Sequence, residues 1–177
     1  MSTLVLSIML ASVLSSNGAL QLGNTPQRRL VPGVATSLST AQNEKWNTYA
    51  NARFNYSIAY PSSLKAQGEA ENGDGQAFRS ANGETELRVW GSYNALNETL
   101  EARYRKTVGE IQQHGAVTYK VLGRGWFVVS GTGGGKVIYK KTLLKGDVYK
   151  TFTFEYPAAD KSTQDSITSR IANSFKG

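Results

Sequence analysis

The feature that most limits what this chain can become lies between residues 117 and 156. Four segments there, Val117 to Leu122, Trp126 to Ser130, Lys136 to Leu144 and Val148 to Tyr156, are rich in β-branched and aromatic residues and are joined by tight glycine-bearing connections. In the last of them Phe152, Phe154 and Tyr156 face one way and Thr151, Thr153 and Glu155 the other, the period-two signature of a strand with one buried side. Connections this short join strands antiparallel, so the stretch predicts a four-stranded meander.

Other elements gather around it. Arg53 to Pro61 alternates Phe54, Tyr56, Ile58 and Tyr60 and predicts a half-buried strand halted by Pro61. Gln76 to Ser80 and Thr85 to Trp90 flank Ala81-Asn82-Gly83-Glu84 and predict a hairpin. Leu96, Leu100, Tyr104, Val108 and Ile111 recur at helical spacing and predict an amphipathic helix closed at His114-Gly115. Ser162-Thr163-Gln164-Asp165 is a capping-box pattern opening a final helix, with Ile167, Ile171 and Phe175 along one face. Both helices must bury their stripes, and the sheet offers the surface. The expected class is therefore α+β, an antiparallel sheet flanked by helices in an α/β/α sandwich. Trp90 and Trp126 are expected in its core.

The N-terminal third reads differently. Residues 4 to 14 form an apolar run of signal-peptide length, too short to span a bilayer, and Ser16 and Gly18 supply the small residues before a cut at Ala19. No Lys or Arg precedes the run. The expectation is a signal peptide over 1–18, a flexible polar linker over 19–44 and one domain over 45–177, exported to the periplasm or beyond and without stable membrane insertion. The oligomeric state is not specified by these patterns. The chain has no cysteine, which excludes a disulfide framework, a thiolate metal site and a thiol nucleophile.

No catalytic constellation emerges. Gly131-Thr-Gly-Gly-Gly135-Lys136 lacks the Walker spacing and is followed by a strand, not a helix. It predicts a hairpin loop whose glycines, Gly133 and Gly134 among them, would let a partner approach the backbone. His114 is the only histidine, and beside a helix end it complements the dipole. Glu69, Glu71 and Asp74 surround an Asn-Gly-Asp-Gly turn but lack the spacing of a twelve-residue calcium loop. Glu84 and Glu86 lie on one strand face beside a turn and predict solvated groups. Catalytic residues, cofactor and metal are all assigned as none.

Charge is unevenly distributed. Residues 69 to 101 hold seven acids against two bases, and residues 103 to 150 hold ten bases against two acids. Lys136, Lys140, Lys141, Lys145 and Lys150, with Tyr139 and Tyr149 among them, have the composition of a nucleic-acid platform, a use that export argues against. Gly133, Gly134, Lys136, Lys140 and Lys141 are the candidate partner-binding residues.

The segments Arg53-Phe-Asn-Tyr-Ser-Ile-Ala-Tyr-Pro61, Asn72-Gly-Asp-Gly-Gln-Ala-Phe78 and Leu87-Arg-Val-Trp-Gly91 resemble those of small exported proteins of Gram-negative bacteria. The order strand, hairpin, helix, meander, terminal helix is similar to the PsbP-like fold over most of residues 46 to 177. That fold is shared by an extrinsic photosystem subunit, a Ran-binding nuclear transport factor and bacterial envelope or secretion-accessory proteins. The resemblance implies a protein-binding role more than an enzymatic one and transfers no site residue. The expected function is an exported, non-enzymatic binding or accessory module contacting another protein, with no nucleic acid among its partners. The alternatives are an envelope hydrolase using carboxylates of the 69–86 region and an anionic-polymer binder using the 136–150 lysines.

Overall fold

A computed structural model of the chain describes residues 44–177. The expected signal peptide and all but the last residue of the expected linker lie outside the described residues. Strands β1 (Trp46–Asn51) and β2 (Tyr56–Pro61) pair as an antiparallel ribbon. Strands β3 (Lys65–Glu69), β4 (Gly75–Arg79) and β5 (Glu86–Tyr93) precede helix α1 (Leu100–His114). Strands β6 (Ala116–Gly123), β7 (Trp126–Gly133), β8 (Lys136–Lys145) and β9 (Val148–Pro157) follow, then a 3₁₀ turn (Ala158–Asp160) and helix α2 (Lys161–Ser174).

Seven strands form one antiparallel sheet in the order β3-β4-β5-β9-β8-β7-β6. The meander over β6 to β9 is present, and the return of β9 beside β5 joins it to the hairpin β4–β5. Cross-strand partners share a face. Phe78, Leu87, Phe154 and Tyr139 therefore align on one side, and so do Val89, Phe152 and Lys141. On this face Phe78, Leu87, Val89, Phe152 and Phe154 are fully buried beneath the β1–β2 ribbon and the Ile171, Ala172 and Phe175 end of α2. Each such aromatic contributes about 2–3 kcal/mol relative to an exposed one. The opposite face carries a smaller cluster, Phe127 and Val129 against Ile111, with Leu100, Tyr104 and Val108 of α1 packed around it. The fold is α+β, a mostly antiparallel sheet with two helices.

Local chemistry departs from expectation at both helix starts. Leu96 is 90% exposed and does not belong to α1. Asn97 takes a left-handed φ of 51°, and Thr99 then caps the helix, its Oγ1 accepting from Ala102 N at 3.1 Å. The capping box at 162–165 does not form. Helix α2 is entered through the 3₁₀ turn with Asp160, two residues before Ser162, at the cap position making no side-chain cap bond. Phe175 ends α2 and is buried beyond its last turn, and Lys176 pairs with Ser57 of β2.

Candidate functional site

Helix α1 packs mainly on β6 and β7, and its Arg103 and Glu110 side chains reach Tyr149 of β9 and Lys140 of β8. The β4–β5 part of the same sheet face lies beyond the helix, and strand parity decides which side chains it presents. Gly75 of β4 registers with Trp90 and Ala77 with Arg88, while Trp90 registers with Thr151 and Arg88 with Thr153 of β9. Trp90 is half-buried and Arg88 exposed, so the expectation that Trp90 lies in the core is not met. Its alternation with Val89, which is buried on the other face, puts the indole on the open side. Trp126 is likewise half-buried.

Two concavities meet at Trp90. A shallow groove of about 450 Å³ runs over β3 to β5, with small residues Gly68, Gly75 and Ala77 on its lining between Trp90 and Arg88. A narrower cleft of about 70 Å³ lies between α1 and the sheet, lined by Trp90, Arg103, Lys106, Glu110, Lys140 and the threonines 107, 142 and 151. Its rim carries three cations and one carboxylate. Glu110 Oε2 pairs with Lys140 at 3.3 Å. Arg103 reaches Glu98 at 3.4 Å and lies over the Tyr149 ring at 4.0 Å. The hydroxyls of Thr142 and Thr151 bond each other at 3.0 Å, so its floor is polar and satisfied.

The sequence-predicted residues do not form one site. Lys140 and Lys141 are neighbours on β8 and point to opposite faces. Lys140 lines the cleft, whereas Lys141 donates to the Ala172 carbonyl of α2 at 2.7 Å. Lys150 is buried on that second face and donates to Asn55 O at 3.0 Å. Burial depresses the ammonium pKa of both Lys141 and Lys150, helped at Lys150 by the charge of Lys145. Lys136 is half-buried at the β8 start. The tyrosines among these lysines serve packing: Tyr149 donates to Glu98 O at 2.6 Å, and Tyr139 stacks on Phe152.

The glycine run has two local uses. Gly134 and Gly135, at φ 58° and 76°, make the tight turn between β7 and β8. Gly133 faces the end of α1 so closely that a side-chain carbon would lie 2.3 Å from the His114 carbonyl oxygen. His114 itself is exposed, with Nδ1 2.9 Å from the Glu110 carbonyl oxygen.

Four of the five carboxylates between 69 and 86 are engaged by hydrogen bonds or ion pairs. Glu69 accepts from Tyr49 OH at 2.5 Å and from Asn51 Nδ2 at 3.2 Å. Asp74 accepts from Asn72 and Glu84 from Asn82. Arg79 and Arg88 share the carboxylate of Glu86, at 2.5 and 2.6 Å. Burial raises the Glu86 pKa, but the hydrogen bond from Arg79 and the charge of Arg88 outweigh it and hold the group below the usual carboxylate range. Among the described residues no three His, Asp or Glu side chains gather as a metal site, and no helix is long and apolar enough to cross a membrane.

No protein-family model and no curated protein matches the chain. Among solved structures it is similar to the solution structure of cyanobacterial PsbP (CyanoP) from Synechocystis sp. PCC 6803, at 17% identity and a TM-score of 0.55, covering 88% of this chain and 98% of that one. A crystal structure from Bacteroides thetaiotaomicron VPI-5482 matches at 12% identity and a TM-score of 0.44, over 76% of this chain and 48% of that one. With its hairpin, helix, four-stranded meander and terminal helix in this order, and with that first likeness spanning nearly the whole of the other chain, the protein has a PsbP-like fold.

Proposed function

We propose that this chain is an exported, non-enzymatic binding module that contacts another protein through the sheet face α1 leaves open. The observation that carries the proposal is Trp90. A half-buried indole shared by a groove and a polar cleft has the make-up of a binding anchor. The resemblance to PsbP-like proteins, whose characterised members mostly bind proteins, supports the same direction by fold analogy. The apolar run at 4 to 14 supports a periplasmic or secreted location. Within this proposal the two helices, packed on residues of opposite strand parity, make the domain an α/β/α sandwich.

Neither alternative is favoured by a specific arrangement. Glu69, Asp74, Glu84 and Glu86 are taken up by hydrogen bonds and ion pairs, and the 136–150 lysines divide between two faces. The test is affinity capture from the producing cells with tagged wild-type protein and Trp90→Ala. A stoichiometric protein recovered by the first and lost by the second supports the proposal. Recovery indifferent to Trp90, or turnover of a substrate that Glu86→Gln abolishes, overturns it.

A further inference from the structure

Which chemistry the open face recognises follows from what meets at Trp90. We infer that the occupant is an acidic segment of a protein, an Asp or Glu beside a large apolar residue, with its carboxylate in the α1–sheet cleft and its apolar side chain in the Trp90 groove. This rests on the binding-module proposal above and adds the partner's chemistry to it.

Charge complementarity is the first support. Arg103, Lys106 and Lys140 line the cleft against the single carboxylate of Glu110. Glu110 engages Lys140, and Arg103 is held by Glu98. Lys106 has no ion-pair or hydrogen-bond partner among the described residues and is exposed at the mouth. One carboxylate placed there would bring the lining of the cleft closer to neutrality. Because the cleft is narrow and partly screened from water, its charge-assisted bonds are stronger than those on an open surface.

Size and lining give the second. About 70 Å³ admits a single small oxyanion group and not a ring or a chain of them. The adjoining groove of about 450 Å³ is lined by small residues and the Trp90 indole, with Asp74, Gln76 and Arg88 also on its lining; the small and indole part suits an apolar side chain and the backbone next to it. A polyanion would meet no continuous cationic track beyond the cleft, since Arg79 and Arg88 are already shared by Glu86 and Lys141 is bound on the other face. A carboxylate beside an apolar side chain, as a protein segment provides, matches both volumes at once.

The test is an amide NMR titration of the full chain with the blocked tripeptide Phe-Glu-Leu and its neutral counterpart Phe-Gln-Leu, the Trp90 indole signal being assigned with Trp90→Phe. The acidic peptide is expected to give saturable shifts at the Trp90 indole, along Arg103–Glu110 and at Lys140. The Gln peptide is expected to bind about tenfold more weakly, the loss set by one charge-assisted hydrogen bond. Lys106→Gln with Lys140→Gln should remove that difference while leaving the spectrum folded, and Lys106→Glu alone, at an exposed position, should do so in part. Absence of saturable shifts, equal binding of the two peptides, or shifts confined to other residues would each overturn the inference. So would displacement of the acidic peptide by short-chain polyphosphate at the same residues, which would assign the cleft to an anionic polymer. If wild-type protein still captures a partner through Trp90 when the peptides fail, only the acidic-segment assignment is lost.

Discussion

Replacing Gly133 by alanine will destabilise the domain through a backbone collision. Gly133 ends β7 where His114 and Gly115 close α1, and an alanine Cβ there would lie 2.3 Å from the His114 carbonyl oxygen and 2.9 Å from its carbon. Ordinary contact begins near 3.4 Å, so the helix end and the strand must separate by about 1 Å. A gap of that size forfeits about a quarter to a half of the dispersion attraction that Val108 and Ile111 gain on Phe127 and Val129. Overpacking of this kind costs about 1–3 kcal/mol, and with backbone on both sides of the clash we expect the upper part of that range. In a domain of this size the midpoint of thermal unfolding should fall by roughly 10 °C. Urea unfolding followed by circular dichroism gives the free energy directly. Gly134→Asn is the control, because φ is 58° there with open space around it; Asn tolerates that conformation, and stability should change by less than about 0.5 kcal/mol. An unchanged midpoint for Gly133→Ala would refute the helix–strand role of this glycine.

Two further outcomes are expected. Thr99→Ala removes the acceptor for Ala102 N and should cost about 1 kcal/mol in the same urea assay; no loss would mean that the cap contributes nothing to α1. Burial raises the phenol pKa of Tyr49, Tyr56, Tyr149 and Tyr156, and that of Tyr139 to about 12. These groups therefore stabilise the fold fully below their unfolded value near 10 and lose that contribution as pH rises through their folded values. Lys141 and Lys150 act in the opposite sense, since their depressed folded values let stability rise as pH approaches the unfolded lysine value. With five tyrosines against two lysines, the urea midpoint should decline above about pH 10, and tyrosinate absorbance should lag until unfolding. A flat midpoint across that window would contradict the burial of these phenols.

What could be read from the chain alone was what local patterning controls. The last strand was legible because Phe152, Phe154 and Tyr156 alternate with Thr151, Thr153 and Glu155, and burial follows that alternation from Phe152 to Tyr156, while Tyr149 to Thr151 are buried whatever their parity. Strands β1 and β3 were not, since one buries a single residue fully and the other none, which leaves no period to read. Leu96 continues the apolar spacing of α1 by one turn, but the left-handed Asn97 and the Thr99 cap stop the helix short of it. For the candidate site the signal lay in parity. Trp90 shares its face with charged Arg88 and not with Leu87 and Val89, and Lys140 and Lys141, as strand neighbours, cannot share one. The cleft itself was beyond reach, because α1 brings Arg103 and Lys106 to Lys140 of β8 by tertiary packing alone.

The central claim is that the open face around Trp90 is where a protein partner sits. The most direct measurement is amide hydrogen exchange of the full chain with and without its captured partner. Added protection is expected along Gly75–Arg79, Glu86–Tyr93 and the cleft side of α1, and it should vanish with Trp90→Ala. Protection confined to the turn at Gly134 and Gly135 or to the α2 face, with the Trp90 strands unchanged, would contradict it.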